Sequence, residues 1–328
     1  MCKQSLIILA GYPLPTPIDS FLPAQLVIAS RESALALWQS EHIAARLREL
    51  YPSIKISILG MTTQGDRILD TALSKIGGKG LFVKELETAL LERRADIAVH
   101  SIKDVPMNLG DEFTLAAIGE REDPRDALVS NRFSCLQDLP SGARVGTSSL
   151  RRECQLRARF PHLAIEALRG NVQTRLRKLD EGHYDAIILA AAGLKRLGLE
   201  TRIRQELPPE QSLPAVGQGA LGIECLAGRA DLIELLAPLN HADSAACIRA
   251  ERSMSRRLGG SCQVPLGGYA RFIGDTMHLR GFVAEIDGSR VISDQISGTR
   301  EEAEILGTEL AQRLIAQGAD KILAALSS

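Results

Sequence analysis

The chain has 328 residues, 45% hydrophobic and 24% charged, with a formal net charge of −1. That composition is too long for one core and too apolar for a disordered or collagen-like chain. The near-zero charge argues against broad electrostatic capture of nucleic acid, and no apolar run reaches the ~18 residues needed to cross a bilayer.

Residues 1 to about 22 carry Lys3, a short apolar run Leu6–Ala10 and then Pro13, Pro15 and Pro17. Prolines directly after so short a run fit a loosely ordered extension better than a cleaved targeting segment. From Gln25 the pattern becomes regular. Leu26–Ala29 is a short apolar run, Ala34–Leu50 has helical period, and Ile54, Ile56 and Ile58 alternate as in a strand. Leu81–Arg94 reads as a helix and Ile97–Val99 as a buried strand. The same order recurs further on. Arg144–Gly146 precedes a helical stretch Leu150–Arg159, Leu163–Leu168 is strand-like, Val172–Leu179 is helical, and Ala186–Leu189 is a buried strand. Alternation of strand and helix implies βαβ units, so the pattern predicts two related α/β lobes with mainly parallel sheets facing one another across a cleft.

After His241 the texture changes. A helix over Ala242–Leu258 meets Gly259-Gly260-Ser261-Cys262, short alternating strands turn at Asp287-Gly288, and one long amphipathic helix is expected from Glu301 to Leu326. Strands followed by a helix suggest a small α+β domain with an antiparallel sheet. The cysteines (Cys2, Cys135, Cys154, Cys225, Cys247, Cys262) form no C-x-x-C pair, which fits reduced thiols of a cytosolic protein and no metal site.

Both lobes place Ser or Thr where a strand turns into a helix, with arginine beside them: Ser30, Arg31 and Ser33 in the first, Thr147, Ser148, Ser149, Arg151 and Arg152 in the second. Free N–H groups and the helix dipole favour an anion there, and each site alone would be plain N-capping. Arg169-Gly170-Asn171 follows a strand directly, at the carboxyl end where open α/β sheets bind ligands. Guanidinium forks pair well with carboxylates, and aromatics are only 4% of the chain, so a polycarboxylate fits this basic second lobe better than stacked bases. Lys103 and Asp104 close the Ile97–Val99 strand before Pro106, which puts a carboxylate at the cleft. Gly77-Gly78-Lys79-Gly80 lacks the full phosphate-loop pattern and reads as a glycine loop carrying a cation.

Taken in order, these segments strongly resemble the porphobilinogen deaminase family from about Leu26 to the C-terminus. The resemblance is carried by Ile28–Ser33, Gly77–Glu85, His100–Pro106, Gly119–Asp126, Gly146–Arg152, Leu168–Asn171, Leu213–Ala220 and Gly260–Pro265. It implies a transferase with two periplasmic-binding-protein-like lobes and a third domain. The implied boundaries are an extension over 1–22, a first domain over 23–120 and 215–239, a second over 121–214 and a third over 240–328. It also implies a dipyrromethane cofactor, self-assembled from substrate and joined by a thioether at Cys262, with no external cofactor, metal or nucleotide. Four porphobilinogen molecules are then added head to tail. Each loses ammonia to give an electrophilic azafulvene, and hydrolysis releases hydroxymethylbilane for tetrapyrrole (haem-type) biosynthesis.

By the same resemblance Asp104 is the catalytic carboxylate. Lys103, Ser101, Thr147, Ser148, Ser149, Arg151, Arg152 and Gly219 would hold the cofactor. Arg31, Ser33, Gln39, Lys79, Phe82, Arg169, Arg175 and Gln218 would meet the substrate, with Lys79 and Phe82 on a mobile loop. A cytoplasmic monomer with porphobilinogen as its small-molecule partner, and neither nucleic acid nor membrane, completes the expectation. The competing reading from the lobes alone is a non-catalytic two-lobed binding protein for an anionic small molecule.

Overall fold

A computed structural model describes residues 22–67, 83–260 and 264–326 of the chain. The extension over 1–21, Lys79, Phe82 and Cys262 lie outside the described residues.

The chain opens with β1 (Gln25–Arg31), α1 (Ala34–Leu50) and β2 (Lys55–Met61). Ser33 caps α1 by accepting from the Ala36 N–H, and Ala36, Ile43, Ala44 and Leu47 turn one face of the helix inward. Next come α2 (Lys84–Leu91), β3 (Ile97–Ser101) and β4 (Phe113–Ile118). The second lobe runs through β5 (Asp126–Val129), β6 (Arg144–Gly146), α3 (Leu150–Arg159), β7 (Ala164–Glu166), α4 (Val172–Asp180), β8 (Ala186–Ala190), α5 (Ala191–Arg196) and β9 (Ile203–Leu207). The chain then returns as β10 (Leu221–Leu226), which lies in the first sheet, followed by α6 (Ala230–Leu236).

The two five-stranded sheets share one plan. Their orders are β2-β1-β3-β10-β4 and β7-β6-β8-β5-β9. In each, the first three strands pair in parallel, and the fourth, a crossing strand, runs antiparallel to both neighbours. β5 brings the chain into the second lobe and β10 brings it back into the first, so the repeat seen in the sequence is a repeat of topology. Leu26, Ile28, Ile97 and Val99 sit in the core of the first sheet, and Leu128, Val145, Ala186 and Ile188 in that of the second.

The last part is α7 (Ala242–Arg257), an antiparallel sheet of β11 (Leu266–Ile273), β12 (Thr276–Ala284) and β13 (Val291–Gly298), then α8 (Ala303–Ala316) and α9 (Ala319–Ala325). The single helix expected over Glu301–Leu326 is therefore two. Gly318 adopts φ +98, a left-handed conformation that stops α8 and that side chains other than glycine rarely take. The helix expected over Leu81–Arg94 is described from Lys84 to Leu91, and Arg93 beyond it has φ +55.

A buried carboxylate ties the three parts together. Glu251 of α7 accepts from Arg121 Nη1 at 2.5 Å, from the Gly217 N–H at 2.7 Å and from the Ala270 N–H at 2.7 Å. Those donors come from the outgoing crossing, the returning crossing and β11. With four or more lone-pair sites and several donors, such a carboxylate is compensated rather than stranded.

Candidate active site

The carboxyl ends of β1 and β3 face those of β7 and β8 across a cavity of about 490 Å³. From the first lobe it receives Arg31, Ser33, Gln39, Ser101, Lys103 and Asp104, and from the second Ser148, Arg152, Arg169 and Arg175, with Gly219 of the returning segment. A second cavity of about 180 Å³ adjoins it, lined in part by Ser149, Arg151, Gln218 and Val264. Lys103, Asp104, Ser148, Arg152 and Arg175 line both. Asp104 is the one carboxylate in that shared set.

Local structure places each of these. Lys103 and Asp104 occupy a short 3-10 turn, Ile102–Asp104, that closes β3, with Ile102 fully buried beneath as its anchor. Gln39 of α1 donates to Ser101 Oγ at 2.8 Å, joining helix to strand end. Asn171 caps α4 by accepting from the Thr174 N–H at 2.9 Å, and Gly170, at φ +114, lets the chain turn ahead of it. Arg175 Nε donates to the Gly170 carbonyl at 2.7 Å, which fixes its guanidinium against the loop. Gly219, at φ +93, could not carry a Cβ without meeting the Glu122 carbonyl oxygen at 2.3 Å.

The second lobe's arginines stand on Asp126, a residue the sequence reading did not single out. It is 0% exposed and accepts from Arg151 Nη1 at 2.7 Å, Arg151 Nη2 at 3.0 Å, Arg152 Nε at 2.9 Å, Ser212 Oγ at 2.8 Å and Gln218 Nε2 at 3.0 Å. Burial alone would raise its carboxyl, but the Arg151 and Arg152 guanidiniums outweigh that and hold it well below the usual carboxylate range. Arg151, Arg152 and Gln218 thus line the cavities from positions committed to a carboxylate of the protein. Thr147 departs from expectation. It is buried, accepts from the Ser149 N–H at 3.2 Å, and is absent from the lining of both cavities, so its hydroxyl serves the turn.

The cations that remain are crowded. Burial pushes the Lys103 ammonium down to about 8, against the opposing pull of Asp104 and with Arg152 adding to the fall. Burial likewise lowers Arg175 to about 10, aided by Arg152 and partly offset by Asp104. Arg169 Nη1 is buried without a hydrogen-bond partner among the described residues. Desolvated cations held side by side are stabilised by an anion that enters between them. Among the described residues no group of His, Cys, Asp and Glu is arranged to hold a metal ion.

Arg196 of α5 also lines the larger cavity and was missed in the sequence, where it looks like one more basic residue at a helix end. Its guanidinium lies 5.8 Å from the ring centroid of Trp38, the chain's single tryptophan, and Nη2 donates to the Gly219 carbonyl at 2.6 Å. Trp38 in turn stacks on His42 at 5.1 Å. Cation–π contacts contribute about 0.5–2 kcal/mol, so Trp38→Ala is expected to raise KM roughly 2- to 30-fold, with Tm little changed because the ring is already 36% exposed. Steady-state kinetics beside a thermal melt would check this, and an unchanged KM would mean that Arg196 is held by Gly219 alone.

Comparison with known proteins identifies the family. Residues 26–234 match the family described as porphobilinogen deaminase, dipyromethane cofactor binding domain, and residues 245–316 match the porphobilinogen deaminase C-terminal domain. The chain is 68% identical over 305 residues to a porphobilinogen deaminase of Nitrosomonas europaea, covering 93% of this chain and 99% of the relative. It is 64% identical to that of Methylobacillus flagellatus, covering 93% and 98%. Among solved structures, a putative methionine-binding lipoprotein from Bacillus subtilis covers 66% of this chain and 90% of its own at 13% identity, with a TM-score of 0.41.

Proposed function

The chain belongs to the porphobilinogen deaminase family, and we propose the roles by which its own residues carry out that family's reaction. The enzyme is a transferase that condenses four porphobilinogen molecules head to tail into hydroxymethylbilane, releasing ammonia at each step, in tetrapyrrole biosynthesis. A dipyrromethane is its cofactor and, when bound, supplies the nucleophilic pyrrole carbon on which the chain is extended.

The observation that carries the residue assignment is the adjoining pair of cavities, each lined by several arginines and by Lys103, with Asp104 at their junction. The residues present fit the cofactor. Its acetate and propionate groups call for several donors, and Lys103, Ser148, Ser149, Arg151 and Arg152 line the smaller cavity beside Val264, two residues beyond Cys262. Ser101 and Gly219 extend this lining into the larger cavity. There Arg31, Ser33, Gln39, Arg169 and Arg175 receive the incoming porphobilinogen, while Gln218 contributes from the smaller one. Lys79 and Phe82 remain assigned to substrate by family resemblance.

Departure of ammonia leaves positive charge on the incoming pyrrole. Asp104, between the two cavities, lies where that charge develops and stabilises it, and its oxygens accept from pyrrole N–H groups. The surrounding cations hold the carboxylates and so fix the two reacting rings relative to one another. The non-catalytic alternative leaves this carboxylate in a cationic cleft without a use.

The division into domains over 23–120 with 215–239, 121–214 and 240–328 is supported by the passage of the chain between the two five-stranded sheets at β5 and β10. The protein acts as a monomer in the cytoplasm, with porphobilinogen as its partner.

The decisive experiment is an intact mass spectrum of the purified protein with its Ehrlich colour reaction. A mass excess equal to a dipyrromethane is expected, and in Cys262→Ser both the excess and the colour should vanish. An adduct that survives that substitution would move the attachment site elsewhere. Protein that acquires no adduct and releases no ammonia when given porphobilinogen would leave the binding-protein reading standing.

A further inference from the structure

On the far side of the Asp104 turn lies a cavity of about 620 Å³ between the first lobe and the third domain, which among the described lining residues shares only Met107 with the smaller active-site cavity and none with the larger. Its floor is apolar, with Phe113, Leu115 and Ile118 from the β4 strand and Ile248 from α7. One wall is cationic. Arg249, Arg252 and Arg256 of α7 fall at i, i+3 and i+7, the spacing that puts side chains on one face of a helix. Glu304 is the only acidic residue among the described residues of the lining. Arg249 and Arg256 are exposed, and neither forms an ion pair among the described residues.

The arginine wall is wired to the catalytic turn. Arg252 donates to the carbonyls of Val105 at 3.3 Å, Pro106 at 2.6 Å and Met107 at 3.3 Å, and Arg256 Nε donates to the Met107 carbonyl at 3.3 Å. Residues 105–107 are the chain leaving Asp104.

We propose that this cavity is a second binding site, for an anion with a flat apolar body such as an aromatic carboxylate, and that its occupancy alters turnover through the Val105–Met107 segment. The charge count favours an anion, since the two exposed guanidiniums, Arg249 and Arg256, face one carboxylate among the described lining residues, and forks of this kind pair with carboxylates bidentately. The apolar floor favours a ring system over a bare inorganic ion, because only the former gains from covering it. Coupling requires the ligand to distinguish two arrangements of the segment. An anion drawing on the Arg256 guanidinium competes with the Met107 carbonyl for the same group and so supplies that difference.

The probe for the test is 8-anilinonaphthalene-1-sulfonate, an aromatic anion whose fluorescence rises on binding, used with the full-length holoenzyme. Wild type, Arg249→Glu, Arg249→Gln and a remote control, Arg46→Gln, would be titrated. Arg249 lines neither active-site cavity, so basal turnover should be the same in all. Binding at least tenfold weaker in both Arg249 variants, with the control unchanged, is expected. The probe should also lower kcat in wild type at saturating porphobilinogen, and do so much less in the variants. Equal binding in all proteins would overturn the site. Inhibition that is purely competitive with porphobilinogen and insensitive to Arg249 would overturn it too, by placing the probe in the active site.

Discussion

Asp104→Asn is expected to cut turnover of porphobilinogen by about 10²–10³-fold, the size of effect seen when one preorganised electrostatic group is removed from a reacting centre. The fold should survive, because Asp104 is only half-buried, at the end of a turn whose anchor is Ile102. The substitution keeps the size and one acceptor oxygen, and it removes the charge together with the second acceptor, which becomes an NH2 donor. Asp104→Glu restores the charge on a side chain longer by one methylene and should recover part of the rate.

Binding of substrate should respond differently. Its carboxylates are met by the arginines, and removing a neighbouring negative charge leaves those contacts in place. The expected signature is therefore a fall in kcat with KM nearly constant, the mark of an interaction made chiefly in the transition state. Ammonia release measured under saturating porphobilinogen would decide the matter. Wild-type rates in Asp104→Asn would remove Asp104 from the chemistry, and a large rise in KM at unchanged kcat would make it a binding residue only.

The lobes were legible in the sequence because their signals are local. Apolar runs such as Ala186–Ile188 and a cap such as Ser33 declare a strand or a helix from neighbouring residues alone. The residues of the cleft were legible for a related reason, since Arg31, Lys103 and Arg169 sit at or just beyond strand ends, where the topology of an α/β sheet brings ligands. What could not be read was how charges divide between ligand and protein. Asp126 lies in a run of charged residues, Gly119–Asp126, that resembles a solvated surface loop. Its burial is created by Arg151, 25 residues away, and Ser212, 86 residues away. No local pattern announces a partner at that separation. Arg151, Arg152 and Gln218 were consequently assigned to ligand alone, and Thr147 to a cavity it does not line. Gly318 carried a visible signal, an isolated glycine in a helical pattern, whose outcome rested on whether the chain beyond it had an apolar surface of its own to cover. Ala319 and Ile322 are buried against the third-domain core and answer that.

Asp126→Asn should destabilise the protein by about 3–5 kcal/mol at neutral pH, the cost of breaking a buried ion cluster from one side. Two guanidiniums, 4% and 6% exposed, would lose their only acidic partner in the cluster and face an amide in its place. The loss has a pH signature whose sign follows from the depressed carboxyl. In the unfolded chain Asp126 takes up a proton near its ordinary pKa of about 3.9. In the folded protein Arg151 and Arg152 hold that proton off until much lower pH. The stabilisation is thus fully present above about pH 4 and is lost as pH falls through the acid range, at up to about 1.4 kcal/mol per pH unit for this one group. Asparagine does not titrate, so the gap between wild type and variant should be widest near neutrality and close steadily below pH 4. Asp123, also held down by Arg125 and Lys195 against the effect of burial, contributes a similar slope to both proteins and cancels from the difference. Denaturant unfolding of both proteins at pH 7, 4 and 3 would show it. A gap that does not narrow with acid would mean that shape at the cluster, and not the charge of Asp126, holds the second lobe's arginines in place.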